Sequence, residues 1–135
     1  MTFAGFKIIK YLEGVVASYA MCVGLLFAFD VRTLAAPVYD QWLDLGGGTW
    51  GSVLILTGLA HFLALWLNGR ARAASRIVRV TANTFHFYIS LKFAFMFLMS
   101  GAPWGTVTFG ILLPGLILPI LASTLQDARQ IIHER

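Results

Sequence analysis

The chain has 135 residues, of which 59% are apolar and 12% charged, with a formal charge of +4. A soluble domain carries about 25% charged residues, so this composition excludes the ordinary soluble class and points to a membrane protein made of one small bundle. The basic excess does not make a nucleic-acid binder, because the lysines and arginines flank apolar runs and form no separate basic domain.

Four apolar runs are legible, at residues 12–29, 50–67, 80–100 and 106–125. At a rise of about 1.5 Å per residue, about 20 residues cross the hydrocarbon, so each run reads as a membrane span. The expected fold is an all-α bundle of four transmembrane helices in a single domain. The first run follows Lys7 and Lys10, but it contains Glu13 and lacks a small-x-small exit, so it reads as a retained span and not a signal peptide. Ala17, Ala20, Gly24 and Ala28 form one helical stripe that Glu13 begins. Small residues let helices approach closely, which turns this face toward protein. Glu13 then lies inside the bundle or reaches headgroup water at its inner mouth. Cys22, the single cysteine, permits no internal disulfide or thiolate cluster and reads as a small packing residue.

Residues 31–49 are too polar to span. Leu34, Val38, Trp42 and Leu45 share a helical face that Asp40, Gln41 and Asp44 avoid, the pattern of a short helix lying in the membrane interface between spans one and two. Gly46, Gly47 and Gly48 read as a hinge releasing the chain into the second run. No strand precedes them and no Lys-Ser/Thr follows, so they are not a phosphate loop.

The second run carries Thr57 and His61, with Gly51 and Gly58 flanking their face. A basic connector with Arg70, Arg72, Arg76 and Arg79 leads to the third run. There Asn83, His86 and Ser90 share one face and Tyr88 and Lys92 the opposite one. Residues 101–105 read as a tight turn. The fourth run holds a tandem pentamer, with Gly110 four residues before Pro114 and Gly115 four before Pro119. Each proline removes a backbone donor and crowds the earlier carbonyl, which predicts a bent helix with freed carbonyls. The tail from Gln126 reads as helical.

Lys7, Lys10, Arg70, Arg72, Arg76, Arg79, Arg129 and Arg135 all fall on one side of such a four-span arrangement, and Arg32 alone on the other. The positive-inside rule then places both termini in the cytoplasm, the protein in the cytoplasmic membrane, and Trp42, Trp50 and Trp104 at the outer interface.

Two constellations carry chemistry. His61 and His86 lie about 13 Å and about 10 Å from the connector by helical rise, nearly level across an antiparallel pair. Facing histidines are able to ligate a b-type haem axially, with Gly58 giving room for the ring and arginines meeting the propionates. The alternatives are hydrogen bonds across helices, or proton handling. Lys92 lies about 19 Å from the inner boundary with no carboxylate plainly placed for it. It faces water, meets another subunit, or is neutral. The intramembrane polar candidates are therefore Glu13, His61, Asn83, His86 and Lys92. No Ser-His-Asp set, His-Glu-x-x-His, Cys-x-x-Cys or paired carboxylates occur, so neither an enzyme nor a metal site is expected.

The pattern of Gly58, His61, Leu65, Asn68 and Gly69, followed by arginines and a serine before Arg79 opens another apolar run, resembles small membrane proteins encoded by tailed phages and prophages. The resemblance covers the central hairpin and implies a phage setting, in which holins and exclusion proteins of this size occur. The expected function is non-enzymatic: self-assembly into an oligomer or binding to a membrane-protein partner. The alternatives are a holin-like lesion former, a haem b electron-transfer subunit, and a small proton-coupled carrier with Glu13, His86 and Lys92 along its path.

Overall fold

The computed structural model describes residues 3–29, 46–67 and 72–133. They form helices α1 (Phe3–Phe29), α2 (Gly47–Leu67), α3 (Arg72–Met99), the short α4 (Pro103–Val107), a π-helical segment (Thr108–Leu112) and α5 (Leu113–His133). The last three run on without a break and act as one long rod. Ile8–Phe29, Gly47–Leu67 and Pro103–Asp127 are each long and apolar enough to cross a membrane. With no water to satisfy the backbone in hydrocarbon, such segments must close their hydrogen bonds internally, which selects helices. The hydroxyls of Ser18, Ser52, Thr57, Thr84 and Thr108 likewise donate to the carbonyl four residues earlier, so none is left bare. The interfacial helix expected over residues 31–45 lies outside the described residues.

α1 and α2 run antiparallel in close contact. A Cβ added to Gly51 would lie 2.6 Å from the Gly24 carbonyl oxygen and 2.7 Å from the Ala28 nitrogen. One added to Gly58 would lie 2.9 Å from the Ala17 carbonyl oxygen and 2.5 Å from the Met21 Cγ. The stripe of Ala17, Ala20, Gly24 and Ala28 thus packs within the chain, largely against glycines of α2. Lipid is as apolar as leucine, so it is this close fit, not exclusion of water, that holds the two helices. Cys22 points outward instead of packing.

α3 packs against every other helix. It begins at Arg72, so much of the basic connector forms its first turns and not a loop. Toward one end Phe27, Leu54, Ile89, Phe93 and Met96 form an apolar cluster, and Val16, Ile117 and Ile120 form a second. α3 ends in a Schellman motif: Gly101 N–H donates to the Leu98 carbonyl and Ala102 N–H to the Phe97 carbonyl. Gly101 has φ +70°, the left-handed value that turn requires. Gly46 has φ +76° and is the hinge into α2, whereas Gly47 and Gly48 are already helical.

Just ahead of Pro114 the helix widens into the π segment, and Pro119 is accommodated inside α5. Widening the helix there is a known response to strain in the ladder. Ser90 Oγ donates to the Phe109 carbonyl at 2.6 Å, satisfying that carbonyl from α3.

Gly51→Ala forces the α1–α2 contact apart and is expected to lower stability by about 1–3 kcal/mol. Gly14→Ala, where nothing lies within 4 Å, is expected to be neutral or to stabilise by up to about 1 kcal/mol. Reversible unfolding in mixed micelles measures both.

Candidate functional site

The polar candidates of three helices meet in one layer. Glu13 comes from α1, four residues before Ala17 on the face turned to α2. His61 comes from α2, three residues after Gly58. Arg79, Asn83 and His86 come from α3, at a spacing that keeps all three on one face. Glu13, His61 and Asn83 expose none of their surface, Arg79 exposes 1% and His86 5%.

Glu13 is the centre of the layer. Arg79 Nη2 lies 2.8 Å from Glu13 Oε2, and Arg79 Nε donates to Oε2 at 3.0 Å and Oε1 at 3.2 Å. Asn83 Nδ2 donates to Oε1 at 3.2 Å. The carboxylate is thereby met by the fork of a guanidinium, the geometry that makes arginine the strongest carboxylate partner. Of the two readings of Glu13, the structure selects the interior one.

The histidines stand beside this ion pair. His61 Nε2 is 3.9 Å from Glu13 Oε1, an electrostatic contact beyond hydrogen-bond length. The rings of His61 and His86 stack, with centroids 5.6 Å apart and planes at 29°. Neither ring nitrogen of either histidine has a hydrogen-bond partner among the described residues. The two imidazoles thus stack on one another inside the bundle. The place beside Gly58 is taken by Met21 and the Ala17 carbonyl. Among the described residues no cluster of three or more His, Cys, Asp or Glu is placed to hold a metal ion.

The same end of the bundle is closed by polar contacts between helices. Ser75 Oγ donates to the Ala64 carbonyl at 2.6 Å, tying the start of α3 to the end of α2. Arg76 Nη1 donates to the Asp127 carbonyl at 2.7 Å, tying it to α5. His86 also borders a cavity of about 30 Å³, together with Tyr19, Ala20, Ser90, Phe93 and Phe109.

Lys92 is not part of this layer. Its Nζ sits 5.2 Å from the centroid of the Trp50 ring, where the π face meets its charge. Half-buried between α3 and α2, it meets an aromatic side chain of its own chain.

The residue that sequence reasoning missed is Arg79. Its position beside other arginines made it one of several topology charges. The available signal was its spacing: Arg79, Asn83, His86 and Ser90 fall at i, i+4, i+7 and i+11, one stripe of a helix.

Compared with protein-family models, curated proteins and solved structures, the chain matches none.

Arg79→Leu leaves the Glu13 charge buried and unpaired, with an expected loss of about 3–5 kcal/mol in stability. Adding Glu13→Leu to that variant is expected to restore most of the loss, because no bare charge remains. A double-mutant cycle by unfolding in micelles reads the recovery; an unrecovered double variant would show that the pair is not what the layer depends on.

Proposed function

We propose that the chain is a four-span protein of the cytoplasmic membrane with both termini inside, and that it passes single protons through the His61–His86 pair as a small proton-coupled membrane protein. The observation that carries this reading is the stacked pair itself: two buried imidazoles without hydrogen-bond partners among the described residues, set against a buried Glu13–Arg79 ion pair. Histidine is the side chain whose charge changes between about pH 5 and 8. Ionisable groups inside a membrane are costly and mark pathways for protons or ions.

The fourth span in this arrangement is α3. At 28 residues it is long enough, and its least apolar face is the one that Glu13 and the other helices cover. Lys92 apart, the basic residues of α1, α3 and α5 then gather at one end, as the positive-inside rule asks.

The layer has an electrical logic. Glu13 and Arg79 cancel, so a proton on the histidines is the net charge of the site. Two protons on rings 5.6 Å apart would repel by about 3 kcal/mol at an effective dielectric near 20. The pair therefore handles one proton at a time. That proton hops between the rings as they reorient. Arg79 and Asn83 hold the carboxylate in place and do not exchange the proton themselves.

Two features that favoured an assembly role from sequence are accounted for within the chain. The small-residue stripe packs on α2, and Lys92 sits over Trp50. Lys92 accordingly drops out of the proton path.

Purified protein in liposomes with an entrapped pH dye is expected to dissipate an imposed proton gradient faster than empty vesicles. His61→Gln and His86→Gln should each slow this by about tenfold or more, while Lys92→Met leaves it unchanged. Wild-type vesicles no leakier than empty ones would overturn the reading.

A further inference from the structure

Between α1 and the last rod the bundle is not filled. α1 meets α5 far less than it meets α2, and the cavity of about 30 Å³ lies between α1, α3 and the π segment. Its floor is formed by Val16, Ala20, Leu54, Ile89 and Phe93, all buried. Its mouth is formed by residues that reach the surface: Tyr19 and Val23 from α1, Phe109 and Leu113 from the last rod. The cavity is thus partly open, between two helices and not at an end of the bundle.

The lining offers a guest almost nothing polar. Ser90 donates its hydroxyl proton to the Phe109 carbonyl, and both ring nitrogens of His86 are shut off from the surface. An apolar cavity stays dry and takes apolar guests. Depth and volume decide which guest. Ile8–Phe29 and Pro103–Asp127 are each long and apolar enough to cross a membrane, and Tyr19 and Leu113 fall near their middles. The mouth therefore faces hydrocarbon, where the abundant apolar group is the lipid tail. The volume, about 30 Å³, is well below the ~150 Å³ of an apolar cavity that takes a benzene ring. A slender chain end fits there and a ring system does not.

We propose that this cavity seats the end of one lipid acyl chain, which enters between Tyr19 and Val23 on one side and Phe109 and Leu113 on the other. The site stands independently of the proton reading. The rings of Tyr19 and Phe109, with centroids 6.3 Å apart and planes at 49°, flank the entry. Phe93 and Phe97 support the Phe109 ring, at 5.1 Å and 5.4 Å between centroids. Lipid tails are as apolar as leucine, so no hydrophobic gain drives the chain in. What holds it is fit: the lining of an empty void has no partner atoms on one side, and a methylene chain supplies them.

The test is solid-state NMR on the full chain in phosphatidylcholine bilayers. The protein is deuterated except at ¹³C-labelled isoleucine and valine methyls, and proton magnetisation is transferred from the acyl chains to those methyls. The cavity signals are identified by their disappearance in Ile89→Leu and Val16→Ala. Exposed Ile111 sets the full lipid signal, and fully buried Ile117, which does not line the cavity, sets the background. Ile89 and Val16 are expected to receive acyl magnetisation well above Ile117, although all three are buried. Leu113→Phe, whose ring fills the mouth, is expected to remove that transfer and leave Ile111 unchanged, with retained far-UV dichroism showing that the variant is folded. Ile89 and Val16 as silent as Ile117 in the wild-type protein would overturn the acyl site, as would transfer retained in folded Leu113→Phe. So would transfer from water in place of lipid, the mark of a hydrated cavity. Transfer from protonated copies of the chain mixed into deuterated lipid would also overturn it, by seating a second copy there.

Discussion

The bundle depends on one constraint: a carboxylate taken out of water must meet a cation. Glu13 on α1 and Arg79 on α3 satisfy each other at 2.8 Å. Each alone would be expensive to hold in hydrocarbon, about 2.5–3.5 kcal/mol on insertion scales for an arginine at mid-membrane. The pair fixes depth and rotation of both helices together, because moving either by one residue turns its charge to another face. Asn83 adds a third direction of approach to the same carboxylate. A buried ion pair of this kind contributes more to a unique arrangement than to raw stability.

Around that fixed point the remaining contacts are of two kinds. The α1–α2 contact is backbone against backbone, with Gly24, Gly51 and Gly58 removing the atoms that would keep the helices apart. The contacts of α3 with the last rod use larger side chains, Phe93 and Phe97 against Phe109, and one hydrogen bond across the π segment. The first contact is close because backbone meets backbone at these glycines, with Met21 and Ile55 the side chains that reach into it. The second has a widened turn and a cavity beside it, so what adaptability the described bundle has is concentrated there.

Much of this was legible in the sequence. Apolar runs, the small-residue stripe, the shared level of His61 and His86, and the irregularity ahead of Pro114 all follow from periodicity and from what hydrocarbon permits. What sequence reasoning could not place was pairing between helices. Lys92 lacks a carboxylate at its depth, yet an aromatic ring is a partner too, and Trp50 had been assigned to the interface. Arg79 was counted with its neighbours, since charge alone does not distinguish an arginine at the surface from one a turn further in. Glu13 was left between two positions because its resolution required Arg79. The stacking of the histidines depends on how α2 and α3 are rotated, which no single helix encodes.

The ion pair also bears on how the chain enters the membrane. α3 does not rank with the other long helices in apolarity, and its first turns carry Arg72, Arg76 and Arg79. During synthesis α1 emerges first and carries the acid, and the base that matches it follows two helices later. In the proposed four-span arrangement, α3 leaves the translocation machinery with a charge that lipid penalises and that Glu13 of the waiting α1 meets. Its integration is thus a joint event with a helix made much earlier, and the order of the helices along the chain is itself part of what lets a polar segment become a membrane one.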